Sequence, residues 1–278
     1  MIEAKKITSA VKELVVDACY NLDKDYGSAL EDALKKETKD VPRNVLKQII
    51  EDIDIAGEGK YPLCQDTGLA VVFVEWGQDC GVSGGDVTAA INEGVRQGYQ
   101  EGYLRKSVVR CPIRRENTGD NTPAVIHYDI VCGDRIKITV MPKGSGSENM
   151  SGFSMLRPHA GKKAVEEFVI KTVAEAGANA CPPVIVGIGL GGTFEKSALL
   201  AKKALLRKPG DRHGDTFYAE WEKNLLTKIN NLGLGPMGLG GKVTALDVFI
   251  ETYPCHIASL PVSVNLQCWA ARHKTIEL

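Results

Sequence analysis

Aromatic residues make up only 6% of this 278-residue chain. Ring stacking is therefore a minor part of its chemistry, and close backbone packing a larger one. The chain has no apolar run approaching the ~20 residues of a bilayer-spanning helix. It has almost no charge imbalance: 34 Lys and Arg face 35 Asp and Glu, for a net charge of -1. That excludes the broad basic field of a general nucleic-acid binder. The N-terminal residues Met1 to Lys6 carry no apolar signal core with a small-residue cleavage site, which predicts a cytoplasmic protein. No two of the eight cysteines form a CxxC pair, so zinc ribbons and thioredoxin-type redox motifs have no support. Internal repeats and low-complexity tracts are also missing.

The remaining composition is that of a folded chain, with 44% apolar and 25% charged residues. A chain of this length buries a sizeable core without disulfide or metal staples. Val11, Leu14, Val15, Ala18 and Leu22 fall on one face of a predicted helix over 8–22. Asp40 opens a second helix carrying Val45, Leu46, Ile49, Ile50 and Ile53. The continuous apolar run Leu69 to Val74 reads as a buried strand, and Asp86 caps a helix to about Leu104. Two β-branched runs, 123–131 and 135–141, are joined by Cys132-Gly133-Asp134, which predicts a hairpin. Further helices are predicted over 160–176, from Phe194 to about Leu206, and up to about Leu232. Further strands are predicted at Val184 to Ile188, 243–252 and 258–267. The mixture predicts an α+β (mixed α/β) fold, with helices packed around mixed β-sheets. The expected organisation is one domain over 1–278, with a possible subdomain boundary in the polar stretch 208–215.

Three cysteines stand at element ends, where function concentrates. Cys64 precedes Gln65-Asp66-Thr67-Gly68 at the mouth of a strand. Cys181 lies between a helix end and Pro182-Pro183, and Cys268 follows the last strand beside Trp269. Thiolates on separate loops can converge on a metal or an iron–sulfur cluster, or they can be three unrelated buried cysteines. Asp66 can serve as a general acid or base beside such a centre, or as a turn residue. The loop Gly144 to Asn149 exposes amides suited to a carboxylate or phosphate. Gly189 to Thr193 forms a strand-to-helix turn without the spacing of a dinucleotide fingerprint. Arg105, Arg110, Arg114 and Arg115 form a local basic group, and Arg clamps a small dicarboxylate well. Arg114 and Arg115 read better as a solvated face. His256 precedes the last strand, where it is either structural or a donor to a carboxylate.

Taken together and in order, several stretches resemble the α subunit of the two-subunit class I iron–sulfur hydro-lyases. That family includes fumarate hydratase and L(+)-tartrate dehydratase. The stretches are Cys64-Gln-Asp-Thr-Gly, Leu104-Arg105, Glu116-Asn117-Thr118 with Asn121 to Ala124, and Lys143-Gly-Ser-Gly-Ser. They continue with Cys181-Pro-Pro and Gly191-Gly-Thr, Asn231-Leu-Gly-Leu-Gly with Gly240-Gly-Lys, and Cys268. They run from about residue 60 to the C-terminus. The glycine loop departs from the single-chain pattern in carrying Ser145, and Trp269-Ala-Ala-Arg272 departs from an Ala-Asp-Arg-like run.

The resemblance implies a [4Fe-4S] cluster on Cys64, Cys181 and Cys268, bound at loop and strand ends, with one iron open to substrate. It implies that Asp66 protonates the leaving hydroxyl. It implies substrate contacts from Gln65, Arg105, the backbone at Gly146, and His256 from the far side. Cys19, Cys80, Cys111, Cys132 and Cys255 are then non-ligands. The expected reaction is the reversible hydration of fumarate to L-malate, with tartrate dehydration to oxaloacetate as the alternative. The catalytic base is implied to reside on a separate β subunit, making the enzyme a hetero-oligomer. An electron-transfer iron–sulfur protein and a nucleotide-binding module are the readings from other classes.

Overall fold

The structure is a computed structural model that describes residues 1–278. It divides the chain into two compact units. The first comprises Met1–Leu22, Ile53–Ser145 and Arg272–Leu278, and the second Asp23–Asp52 and Gly146–Ala271. The predicted α+β class is observed. The elements in chain order begin with β1 (Ile2–Glu3), α1 (Ala4–Tyr20), α2 (Lys24–Lys36) and α3 (Asp40–Gly57). They continue with β2 (Leu69–Gly77), β3 (Val82–Ser83), α4 (Val87–Glu101), β4 (Val125–Val131) and β5 (Ile136–Lys143). After these come α5 (Ser145–Glu148), β6 (Gly152–Leu156), α6 (Gly161–Ala176), β7 (Val184–Gly191) and α7 (Phe194–Ala204). The chain closes with α8 (Thr216–Asn230), β8 (Ala245–Tyr253), β9 (Leu260–Gln267) and β10 (Lys274–Glu277). No helix is long and apolar enough to cross a membrane.

In the first unit a mixed sheet has the order β10-β5-β2-β4, and β1 pairs with β3 beside it. Ile7, Val11, Leu14 and Val15 of α1 and Ile91, Val95 and Tyr99 of α4 form one core with Val72 and Val74 of β2 and Ile138 and Val140 of β5. The apolar period of each helix thus meets the alternate residues of the strands. Both runs flanking Cys132-Gly133-Asp134 are strands, but they do not form the predicted hairpin. β4 pairs parallel with β2 and β5 antiparallel with β2, so β2 lies between them. The continuous apolar run of β2 is buried on both faces and takes a neighbour on each edge. The four residues after β4 span the end of β2, where Gly77 N donates to Arg135 O and Asp79 N to Gly133 O.

The second unit is built on a mixed sheet of order β6-β9-β7-β8. Val184, Val186, Ile188 and Leu190 of β7 point at one side. There they join Val165, Val169 and Val173 of α6 and Trp221, Leu225 and Ile229 of α8. Gly187 and Gly189 point at the other side, where α7 lies so close that a Cβ at Gly189 would overlap the Ser197 carbonyl. This packing accounts for the alternating glycines before Thr193 without any nucleotide. The stretch 208–215 lies inside the second unit, where Arg212 Nη1 bonds Asp247 Oδ1 at 2.9 Å and Gly210 N donates to Asp247 Oδ2 at 2.8 Å. Helix α2 and strands β6 and β10 are absent from the sequence-based expectation. Only Tyr26, Leu30 and Ala33 of α2 are buried, too narrow a stripe to stand out.

Candidate active site

In the first unit the segment 63–68 enters β2 as an irregular loop held at nearly every residue. Leu63 is buried and its N–H donates to Cys19 O at 2.9 Å. Thr67 is fully buried and its hydroxyl donates to Arg105 O at 3.1 Å. The buried Tyr99 hydroxyl is shared between Thr67 O at 2.7 Å and Gly68 O at 3.0 Å. Burial pushes this phenol well above its ordinary range, so it stays a donor. Asn121 is fully buried in the left-handed conformation, with φ of 63°. Its Nδ2 donates to Gly68 O at 3.1 Å, while its Oδ1 accepts from Ser107 N at 2.6 Å and Val108 N at 3.1 Å. One side chain thus ties the loop carrying Asp66 to the segment that begins with Arg105.

The loop presents Gln65 exposed and Asp66 half-buried. Asp66 Oδ1 accepts from Gly68 N at 3.0 Å, and Oδ2 from Ser145 N at 2.8 Å. Behind it, the buried Arg272 donates from Nη1 to Asp66 O at 2.8 Å. A Cβ at Gly144 would lie 3.3 Å from both Arg272 Nη2 and Asp66 Oδ2, so the residue there must be small. Arg105 is exposed and contributes its carbonyl to the loop's support, leaving its guanidinium outward. Cys64 is half-buried. Cys19 is different: burial, opposed by the positive charge of Arg272 and aided by Asp66 and Cys64, pushes its thiol up to about 11. It remains protonated at neutral pH and is an inert core residue. The unit thus gathers Cys64, Gln65, Asp66 and Arg105 on one loop system, a carboxyl group and a cation beside a thiol.

In the second unit, Cys181 ends a short 3-10 turn with φ of 52°. Its carbonyl accepts from Trp269 N at 3.3 Å. The chain at Cys181 is therefore stitched to the residue after Cys268, and both thiols are half-buried. Gln267 Nε2 donates to Cys268 Sγ at 3.6 Å and to Ala270 O at 3.0 Å. The glycine-rich loop 233–241 braces the same turn, with Met237 N donating to Pro182 O at 2.7 Å. Gly146 is exposed, and a Cβ on it would lie 3.2 Å from Asn179 O, two residues before Cys181. Cys181, Cys268 and Gly146 therefore converge on one end of the sheet. His256 does not join them. Gly191, at the far end of β7, pairs with Tyr253, and His256 lies just beyond. Eight strand residues at ~3.3 Å each put it more than about 20 Å from Cys181. It is exposed, with Nδ1 accepting from Ala258 N at 3.1 Å, so a neutral ring offers Nε2–H outward.

None of the eight cysteines is in a disulfide. Within neither unit do three or more His, Cys, Asp or Glu side chains close on a point that would hold a metal ion. The donor types nonetheless suit a soft metal centre, since Cys181 and Cys268 put two half-exposed thiols on hydrogen-bonded neighbouring segments. At the level of sequence Tyr99 was not singled out, and Asn121 and Arg272 stood only within motif stretches, without a role. Their signal is burial of polar groups, which one sequence does not display.

Comparison with known proteins gives the class and the family. Residues 8–277 match the model of the fumarate hydratase (fumerase) family. The chain is 49% identical over 273 residues to a putative L(+)-tartrate dehydratase subunit alpha of Methanocaldococcus jannaschii, covering 96% of this chain and 95% of that one. It is 30% identical over 277 residues to the L(+)-tartrate dehydratase subunit alpha of Escherichia coli, with 98% and 91% covered. The Shigella sonnei protein of the same name is 30% identical over 275 residues, with 98% and 90% covered. The chain belongs to the fumarate hydratase family of hydro-lyases.

Proposed function

We propose that this chain is the α subunit of an iron–sulfur hydro-lyase that interconverts fumarate and L-malate, its active site completed by a β subunit. The observation that carries the reading is the fixed carboxylate of Asp66, clamped by two backbone amides on the loop that also bears Cys64 and Gln65. Hydroxide is a poor leaving group, and a positioned acid supplies the proton it needs. Cys64, Cys181 and Cys268 are the proposed ligands of a [4Fe-4S] cluster. When bound, the cluster supplies a Lewis acid that polarises the substrate C–O bond. Around it, Asp66 delivers the proton to the departing hydroxyl and Gln65 orients that group. Arg105 pairs with a substrate carboxylate, and the amide at Gly146 donates to substrate. His256 is too far along its own sheet to join the Cys181 end, so its proposed contact is made from a second copy of the chain.

The proposed base, acting on the carbon-bound proton, belongs to the β subunit. Eight cysteines outside any disulfide, several of them accessible, suit a reducing compartment, and the proposed location is the cytoplasm. A second reading, tartrate dehydration to oxaloacetate, is favoured by the names of the relatives above. The two substrates differ by one hydroxyl.

The test is anaerobic reconstitution of iron and sulfide into the chain co-purified with its β partner, followed by fumarate absorbance with L-malate and then assay with L-tartrate. Fumarate formation requiring both chains supports the first reading, and oxaloacetate from tartrate alone supports the second. Full turnover by this chain alone refutes the divided site. A stable redox-cycling cluster with no turnover of either acid refutes the hydro-lyase.

A further inference from the structure

Along β9, Ser263, Asn265 and Gln267 alternate with Val262, Val264 and Leu266. The apolar set joins the core with α6 and α8, so the polar set lies on the other face, toward α7. There the hydroxyls of Ser263 and Ser197 of α7 meet at 2.9 Å. The polar row is buried throughout: Ser263 is 3% exposed, Asn265 6% and Gln267 1%. A buried carboxamide is costly unless its polar atoms find partners.

Gln267 meets only half of that demand. Its carbonyl Oε1 is buried with no hydrogen-bond partner. Leu or Met would fill the same space without stranding an acceptor, so packing does not account for the residue. What the amide offers is its nitrogen. Nε2 donates to Ala270 O at 3.0 Å and to Cys268 Sγ at 3.6 Å, one hydrogen to each. The Ala270 carbonyl only accepts, and a flipped amide would set two acceptors against each other. That contact fixes the amide's orientation and thereby aims the second N–H at Sγ.

Cys268 itself donates from Sγ to Ala270 O at 3.8 Å, a long contact. A cysteine binds a metal as the thiolate, which is an acceptor alone. The donor facing that sulfur is then Gln267 Nε2. Asn265, two residues back on the same face, makes a useful contrast. Its Oδ1 is also without a partner, but its Nδ2 donates to Glu148 Oε2 and Ser151 Oγ, both at 2.9 Å.

We propose that Gln267 is a positioning residue for the metal centre, its Nε2–H holding the Cys268 thiolate in place and drawing electron density from the sulfur. The inference rests on the proposed [4Fe-4S] cluster with Cys268 among its ligands. Outer partners of this kind orient a metal ligand and strengthen the hold on the metal. Hydrogen bonds to the ligand sulfurs also set a cluster's potential. An N–H dipole favours the more negative, reduced state and so raises that potential.

The experiment uses the full chain with its β partner, reconstituted anaerobically with iron and sulfide, as wild type, Gln267→Met, Gln267→Leu and Asn265→Met. Two readouts are independent of turnover: the midpoint potential of the cluster, followed by electron paramagnetic resonance, and the iron retained against a chelator. Both Gln267 variants should show a more negative potential and hold iron about tenfold less tightly. Either alone suffices if the other does not fold. Asn265→Met removes the same carboxamide from the same strand face and should keep the wild-type potential, even where its Tm falls. Gln267 variants at the wild-type potential overturn the proposal. So does an equal shift in Asn265→Met, which would assign the whole row to packing. A wild-type complex that retains no iron overturns the cluster reading itself, whereas a wild-type cluster insensitive to Gln267 overturns this inference alone.

Discussion

Asn121→Ala tests whether the loop carrying Asp66 is held as the hydrogen bonds indicate. The side chain makes three bonds: one to Gly68 O and one each from Ser107 N and Val108 N. Gly68 O keeps the Tyr99 hydroxyl at 3.0 Å, so its loss is partial. The two amides lose their acceptor, at about 1 kcal/mol each in this partly buried setting. Ala also tolerates φ of 63° less well than Asn, which adds ~1 kcal/mol. The total is about 3 kcal/mol, or a fall in Tm of roughly 6–12 °C for a chain of this size. Asn121→Gly separates the contributions: it removes the same bonds but relieves the backbone, and should recover ~1 kcal/mol of the loss. Circular-dichroism melts of the three chains measure this directly. A Tm for Asn121→Ala within 2 °C of wild type, or an Asn121→Gly chain weaker than Asn121→Ala, would refute the reasoning.

Other outcomes follow from the same structure. Gly189→Ala drives a methyl into the Ser197 carbonyl and should shift α7 and cost several kcal/mol, read as a large fall in Tm or loss of soluble protein. Burial holds the folded Cys19 thiol at about 11, above the 9.0 of a free thiol. The folded state therefore holds its proton longer, and the associated stability is present below pH 9 and lost as pH rises toward 11. That loss is about 2–3 kcal/mol, and Cys19→Ala should flatten the alkaline limb of a denaturant-midpoint profile. At pH 8, iodoacetamide should label the exposed Cys132 and Cys255 well before Cys19, as peptide mass mapping would show. Serine at Cys64, Cys181 or Cys268 should abolish iron retention after anaerobic reconstitution, whereas Cys132→Ser should keep it; iron analysis decides.

Much of the fold was legible because burial enforces periodicity. The apolar spacing of α1, α3, α4 and α6 and the unbroken runs of β2 and β7 reappear as elements near their expected bounds. The Cys64-Gln-Asp-Thr-Gly stretch gave Asp66 and its neighbours as site candidates through its resemblance to the hydro-lyase family, since by residue chemistry alone Asp66 reads equally as a turn residue. The hairpin at Cys132 misled because local pattern reports strands but not their partners. β2, some 50 residues upstream, fills the gap between β4 and β5.

The sequence by itself determined the α+β class, most elements and the ordered motifs that mark the hydro-lyase family, since each rests on short-range periodicity or on a run of specific residues. Tertiary structure decided the rest. It clamped Asp66 between two amides, buried Arg272 behind it, and spent Asn121 on joining that loop to Arg105. It set His256 at the opposite end of a sheet from Cys181 and left β4 at an open edge. These are pairings between segments far apart in the chain, fixed by which surfaces bury together, and no local pattern encodes them.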